Sequence, residues 1–226
     1  MVHEDLTPSK VMTREAFENA VVVNTAIGGS TNCPVHLTAI ARHLGLELSL
    51  QDWQDIGYDV PLLVNCQPAG KYLGEAFHRA GGIPGVIREL LGAGRLHGDA
   101  MTVSGKSVAE NQADVSEPDR EVICAYEKPM KEQAGFLVLS GNLFDAALIK
   151  TCVISDEFRA RYLAEPGNEN VFVSRVIVFE GPEDYRERLN DPSLEINDSC
   201  MLAIRGCGPI GYPGSGEVVN MQPPDE

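Results

Sequence analysis

The sequence is short of basic residues, of aromatic residues and of long apolar runs. Its 18 Lys and Arg stand against 33 Asp and Glu, which gives a formal net charge of −15 over 226 residues. So acidic a surface repels phosphate backbones, and nucleic-acid binding is not expected. No stretch approaches the roughly 20 apolar residues of a membrane-spanning helix, so no membrane association is expected either. A small anionic ligand would need a local positive feature, such as a helix N-terminus, a metal ion or an arginine.

The first residues also lack a targeting signal. Residues 1–5 show neither the basic nor the apolar region of a signal peptide, which predicts a cytoplasmic protein. Cysteine is present, but there is no Cys-x-x-Cys, and the spacing of the last two cysteines matches neither a zinc nor a ferredoxin motif. The six cysteines are therefore expected to be free thiols in packing positions. They are Cys33, Cys66, Cys124, Cys152, Cys200 and Cys207.

Apolar periodicity and cap residues predict an α/β protein with a helix-rich first half and a β-rich second half. The first predicted helix is capped by Thr13, and the third opens with a capping box of Ser49 and Asp52. Helices are predicted over residues 14–23, 34–44, 49–56, 75–80, 84–92, 156–163 and 182–189. Strands are predicted over residues 60–64, 135–139, 147–154, 171–179 and 201–204. The polar stretch 108–118 predicts a boundary between domains at residues 1–112 and 113–226.

A glycine-rich turn directly precedes the helix predicted from Pro34. It reads Gly28-Gly29-Ser30-Thr31-Asn32, and it combines flexible backbone with side-chain donors at a helix N-terminus, where free N–H groups attract anions. The turn lacks the Gly-Lys-Ser/Thr ending of a phosphate loop. From these residues alone, an anion-binding turn and a plain tight turn with a helix cap both remain open.

A second glycine-rich segment, residues 206–217, has five glycines and two prolines and ends at Glu217. A carboxylate held by so stiff a loop suits a hard cation such as Mg²⁺, which prefers oxygen ligands. One carboxylate does not make a metal site, however, and a solvated loop acid is the alternative. Lys71 and Arg79 are similarly open, either to anion binding or to ordinary roles on the surface and at a helix end.

Four segments together resemble the dihydroxy-acid dehydratase and sugar-acid dehydratase family. They are residues 20–32, 78–82, 136–142 and 206–217, and the resemblance runs over nearly the whole chain in the expected order. The form of residues 211–221, Gly-Tyr-Pro-Gly-Ser-Gly-Glu-Val-Val-Asn-Met, is similar to the pentonate-type members that act on xylonate or arabinonate. The resemblance therefore implies a hydro-lyase that converts an aldonate to a 2-keto-3-deoxy acid.

The resemblance also implies a fold and cofactors. The expected architecture is part of an α/β domain followed by a β-barrel-like domain of the swivelling type. The expected cofactors are Mg²⁺ and an iron–sulfur cluster, [2Fe–2S], each acting as a Lewis acid on the sugar acid. A cytoplasmic homo-oligomer, dimer or tetramer, is expected for the full-length form.

Few of the family's metal-binding and catalytic residues have a counterpart in this chain. Glu217 matches the family's late magnesium-binding glutamate, and Ser30, Thr31 and Asn32 are expected to line the substrate cavity. None of the six cysteines matches a cluster motif, so the iron–sulfur ligands are expected upstream, and the catalytic serine base is expected downstream of Glu226. The chain is thus expected to be a central fragment, inactive alone.

Two other functions remain open at this point. One is a non-catalytic binding or assembly subunit that docks on a partner chain carrying the iron–sulfur cluster. The other is a dihydroxy-acid dehydratase of branched-chain amino-acid synthesis. Which aldonate is the substrate does not follow from the sequence.

Overall fold

A computed structural model describes residues 2–143, 145–208, 212–213 and 224, and it divides the chain into two compact units. The first unit extends to Ile154 and the second begins at Ser155. The helices are α1 (Pro8–Val11), α2 (Arg14–Ala26), α3 (Asn32–His43), α4 (Leu50–Gly57), α5 (Gly74–Arg79), α6 (Gly82–Gly92), α7 (Val108–Asn111), α8 (Asp156–Tyr162) and α9 (Pro182–Arg188). The strands are β1 (Phe136–Leu139), β2 (Ala147–Lys150), β3 (Arg175–Phe179), β4 (Cys200–Ile204), β5 (Cys207–Gly208) and β6 (Tyr212–Pro213).

Side-chain caps begin two of the helices of the first unit at the predicted places. The hydroxyl of Thr13 accepts a hydrogen bond from the backbone N–H of Ala16 at the start of α2. At the start of α4, Ser49 and Asp52 each accept from the other's backbone N–H, the reciprocal pattern of a capping box. Both predicted caps are confirmed.

The core of the first unit is built around α2. One face of α2 packs against α6 and the buried segment 60–64, where the shared cluster contains Val22, Ala26, Val64 and Leu90. The segment 60–64 was predicted to be a strand, and this is wrong. The segment is fully buried, but its strand pairing within the described residues consists of isolated bridges, from Leu62 to Lys131 and from Val64 to Ile123. Its partners there lie in loops instead of strands.

The strands β1 and β2 form an antiparallel pair that packs against α4. Trp53 of α4 meets Phe136 of β1 edge to face, with ring centroids 5.7 Å apart. The strand predicted over residues 147–154 ends early, at Lys150, and continues as a 3₁₀ turn. The hydroxyl of Thr151 donates to the carbonyl of Gly135 at 2.7 Å, which holds the chain in this turn.

In the second unit, β3 and β4 pair in parallel and bury one face against α9. Ile177 and Phe179 of β3 contact Tyr185 and Leu189 in the cluster on that face. Mixed α/β architecture is therefore observed. Each sheet among the described residues has two strands, and none closes into a barrel, so the β-barrel-like domain stays a prediction.

The polar stretch 108–118 begins with the short helix α7, which has its own capping box formed by Ser107 and Glu110. The proposed boundary between residues 112 and 113 stays a prediction. Within the described part of the chain, no helix combines the length and apolar character needed to cross a membrane.

Candidate functional site

The turn between α2 and α3 is the centre of the candidate site. After Ala26 the chain reverses at Gly28, whose φ of +62° lies in the left-handed region that favours glycine. The N–H of Gly28 donates to the carbonyl of Thr25 at 2.9 Å, and that of Gly29 donates to the carbonyl of Asn24 at 2.7 Å. These bonds satisfy carbonyls at the end of α2 and fix the path of the turn.

Asn24 packs directly beneath Gly29. A Cβ on Gly29 would lie 1.9 Å from Oδ1 of Asn24, so no larger residue fits there without a rearrangement. The Asn24 side chain is 6% exposed, and in the described part of the chain its amide nitrogen Nδ2 has no hydrogen-bond partner. Gly29 thus lies directly against the side-chain oxygen of a buried asparagine.

The predicted binding residues Ser30, Thr31 and Asn32 form the last part of the turn and the start of α3. Ser30 and Thr31 are exposed, Asn32 is half-buried, and the backbone N–H of Asn32 donates to Ser30 Oγ at 3.1 Å. The Thr31 side chain makes no capping bond to the helix. The structure therefore brings the three residues together at the N-terminus of a 12-residue helix, where the helix dipole favours anions. Their role in substrate binding stays a prediction.

The helix α3 begins two residues before Pro34, at Asn32. The predicted start at Pro34 is therefore slightly late. Proline lies in the first turn of a helix without loss, because the N–H that it lacks would have no intrahelical partner there.

Lys150, the last residue of β2, is a site residue that the sequence analysis missed. Its Nζ lies 2.6 Å from the carbonyl oxygen of Gly28, and its side chain is half-buried. Among the described residues no carboxylate lies within 4.0 Å of this ammonium group. In the sequence, Lys150 is a single lysine at the end of an apolar segment, which marks it as unusual. The sequence alone does not show that its side chain reaches the turn at Gly28.

The described residues do not form a metal or cluster site. No group of three or more His, Cys, Asp or Glu side chains in this part of the chain is placed to hold a metal ion. The cysteines Cys33, Cys66, Cys124, Cys152 and Cys200 are free. Burial raises the pKa of the Cys33, Cys66, Cys124 and Cys152 thiols. An iron–sulfur cluster needs several thiolates at one place, and the described cysteines do not lie together in such a group. Glu217 lies outside the described residues, and its role as a magnesium ligand stays a prediction.

Lys71 and Arg79 line a different, open cavity of about 530 Å³. Acidic residues line the same cavity, and two of them bind its polar side chains. Arg79 pairs with Glu75 at 2.5 Å, and the hydroxyl of Tyr72 donates to the carboxylate of Glu121. Because Arg79 is paired and three carboxylates line it, the cavity is a weaker candidate for an anionic ligand than the turn at Gly28.

Comparisons with known proteins match the entire length of the chain. Residues 1–111 match the family model described as "Dihydroxy-acid/6-phosphogluconate dehydratase N-terminal", and residues 121–226 match its C-terminal counterpart. A D-xylonate dehydratase of Caulobacter vibrioides is 58% identical over 225 residues, which is 100% of this chain and 38% of that protein. An L-arabinonate dehydratase of Rhizobium leguminosarum bv. trifolii is 45% identical, over 98% of this chain and 36% of that protein. A dihydroxy-acid dehydratase of Chromohalobacter salexigens is 40% identical, over 95% of this chain and 36% of that protein.

The chain thus spans well under half the length of these relatives. Both halves of the chain match, and they match consecutive parts of one kind of protein.

Proposed function

The chain belongs to the dihydroxy-acid/6-phosphogluconate dehydratase family, and we propose that it is part of a hydro-lyase that converts an aldonate, such as xylonate or arabinonate, to a 2-keto-3-deoxy acid. The observation that carries this proposal is the 58% identity to a D-xylonate dehydratase along the full length of the chain. The residue pattern of the loop that ends at Glu217 supports the same substrate class.

In the proposed reaction the aldonate loses a proton from C2 and hydroxide from C3, so that one water molecule leaves and an enol forms. The enol then becomes the 2-keto-3-deoxy acid. The contribution of the described residues is to binding: the hydroxyls of Ser30 and Thr31, the amide of Asn32 and the N-terminus of α3 offer hydrogen-bond donors to an anionic, polyhydroxy substrate.

We further propose Mg²⁺ and a [2Fe–2S] cluster as cofactors, with Glu217 as one magnesium ligand. Because the described side chains fit neither site, the other ligands must come from elsewhere. The binding role proposed for the turn does not depend on either cofactor. A homo-oligomer, dimer or tetramer, is proposed for the full-length enzyme, and sedimentation analysis of that enzyme would test it.

Dihydroxy-acid dehydratase activity is the less supported alternative. The dihydroxy-acid dehydratases compared with the chain are 37% to 40% identical to it, whereas the D-xylonate and L-arabinonate dehydratases are 58% and 45% identical.

The test is a dehydration assay of the full-length enzyme. It would be purified without oxygen, supplied with Mg²⁺ and given D-xylonate, L-arabinonate, other aldonates and 2,3-dihydroxyisovalerate, with 2-keto acid formation as the readout. We expect an aldonate to be preferred. Preference for 2,3-dihydroxyisovalerate would favour the alternative, and turnover only after addition of a second polypeptide would favour an assembly subunit.

A further inference from the structure

Lys150 carries a positive charge that no carboxylate of the described residues neutralises. The side chain is half-buried at the end of β2, and Nζ uses one of its three donors on the carbonyl of Gly28, 2.6 Å away. Taking a charge out of water is costly unless it is paired. Carboxylates exceed basic residues by 33 to 18 in this chain, so the lack of one near Lys150 within the described residues does not reflect a shortage of acids.

The residues that follow Gly28 offer hydrogen-bond donors beside the Lys150 ammonium group. Ser30 and Thr31, which lead into the start of α3, are exposed and carry hydroxyl groups. A surface of donors and one cation fits an anion with several acceptor atoms, which is the chemistry of a carboxylate flanked by hydroxyl groups.

Lys131 shows what a purely structural lysine looks like in the same unit. It is also half-buried, but its Nζ binds two carbonyls, those of Cys152 at 2.9 Å and Ile154 at 3.4 Å. These bonds hold the 3₁₀ turn after β2. Lys131 therefore provides a matched control, because it is a lysine of similar burial whose ammonium group binds the carbonyls of Cys152 and Ile154 instead of that of Gly28.

From these observations we propose that Lys150 binds the carboxylate of the sugar acid and gives the site its preference for acids over neutral polyols. This inference deepens the proposed dehydratase function and rests on it. Lys150 keeps its bond to Gly28, which positions the ammonium group beside the start of α3, while its remaining donors receive the substrate carboxylate.

The experiment compares Lys150→Met, Lys150→Arg and Lys131→Met in the full-length enzyme with wild type. We expect Lys150→Met to raise KM for D-xylonate by about 10- to 100-fold, the loss of one charge-assisted interaction. Lys150→Arg should recover most of this loss because it keeps the charge. Binding of xylitol, a neutral polyol of the same chain length, should be unchanged in all variants, and Lys131→Met should lower the melting temperature without changing KM.

Two results would overturn the inference. One is an unchanged KM in Lys150→Met. The other is an equal loss of affinity for D-xylonate and xylitol, since this would mean that Lys150 only holds the turn. Should Lys150→Met fail to fold, Lys150→Gln keeps a donor for Gly28 without the charge and takes its place.

Different experimental results would contradict the proposed function and this inference. If wild type dehydrates no aldonate, the proposed function is wrong, and calorimetric binding of D-xylonate to wild type and Lys150→Met then decides the inference. Equal binding, or no binding to wild type, would overturn it. Binding of D-xylonate to wild type that is lost in Lys150→Met would support the inference.

Discussion

Arg14 and Asp52 join the starts of two helices through an ion pair in which Nη2 of Arg14 lies 2.5 Å from Oδ1 of Asp52. Arg14 opens α2, and Asp52 belongs to the capping box of α4. The same guanidinium binds Glu18 at 2.7 Å, and Glu18 in turn accepts from His97 at 2.7 Å. The network connects α2, α4 and the loop after α6, and α2 leads directly to the turn at Gly28. It therefore helps to hold the element from which the candidate site begins.

Replacing Asp52 with Asn should destabilise the first unit by about 1–2 kcal/mol, because the change removes both the ion pair and the charged half of the capping box. The measurement is urea unfolding at pH 7, followed by the fluorescence of Trp53, which is the only tryptophan and is fully buried in this unit. Asp55→Asn is the matched control, since Asp55 is an exposed residue of the same helix whose side chain, among the described residues, accepts from Gln51 alone. Equal effects of the two changes would contradict the prediction.

The same carboxylate makes stability depend on pH. Hydrogen bonding from Arg14 lowers the pKa of Asp52 from 3.8 to about 2 in the folded protein, although burial opposes this. A group whose pKa is lower when folded stabilises the fold above its unfolded pKa, and the gain disappears as pH falls through the folded value. We expect wild type to lose stability between about pH 4 and pH 2 and Asp52→Asn to lose less over this range. Parallel urea midpoints for the two proteins across that range would show the prediction to be wrong.

Thiol chemistry offers a check on the cysteines. Burial raises the pKa of Cys152, and the residue is 2% exposed, so its thiol should remain protonated and inaccessible. We expect Cys152 to react with a thiol reagent at pH 8 only after the first unit unfolds, and at the same urea concentration at which the fluorescence of Trp53 changes. Peptide mapping of the labelled sites makes the comparison, with the half-buried Cys66 expected to react earlier. Rapid labelling of Cys152 in the folded protein would contradict the placement of β2 and the turn that follows it.

Local signals predicted the caps and the glycine turn, whereas long-range contacts were not predictable from the sequence. Thr13 and the pair Ser49 and Asp52 act within three residues of themselves, so their pattern is legible without the fold. The bond from Lys150 to Gly28 spans 122 positions, and nothing in either neighbourhood indicates the other. The segment 60–64 was wrongly predicted to be a strand, because an apolar run indicates burial but not whether a neighbouring strand exists.

Gly29 should be among the least replaceable residues of the site. Gly29→Ala would place a Cβ 1.9 Å from Oδ1 of Asn24, so the turn or the end of α2 must move, at a cost of about 1–3 kcal/mol. Gly74→Ala is the control, because Gly74 begins α5 with nothing within 4 Å of the added carbon. If the clash is the cause, Asn24→Ala should lessen the cost of Gly29→Ala in a double-mutant cycle measured by urea unfolding, whereas additive effects would show that the two side chains do not compete for the same space. In the full-length enzyme, Gly29→Ala should also weaken D-xylonate binding, since the start of α3 moves with the turn. An unchanged affinity for D-xylonate would mean that the turn is not part of the substrate site.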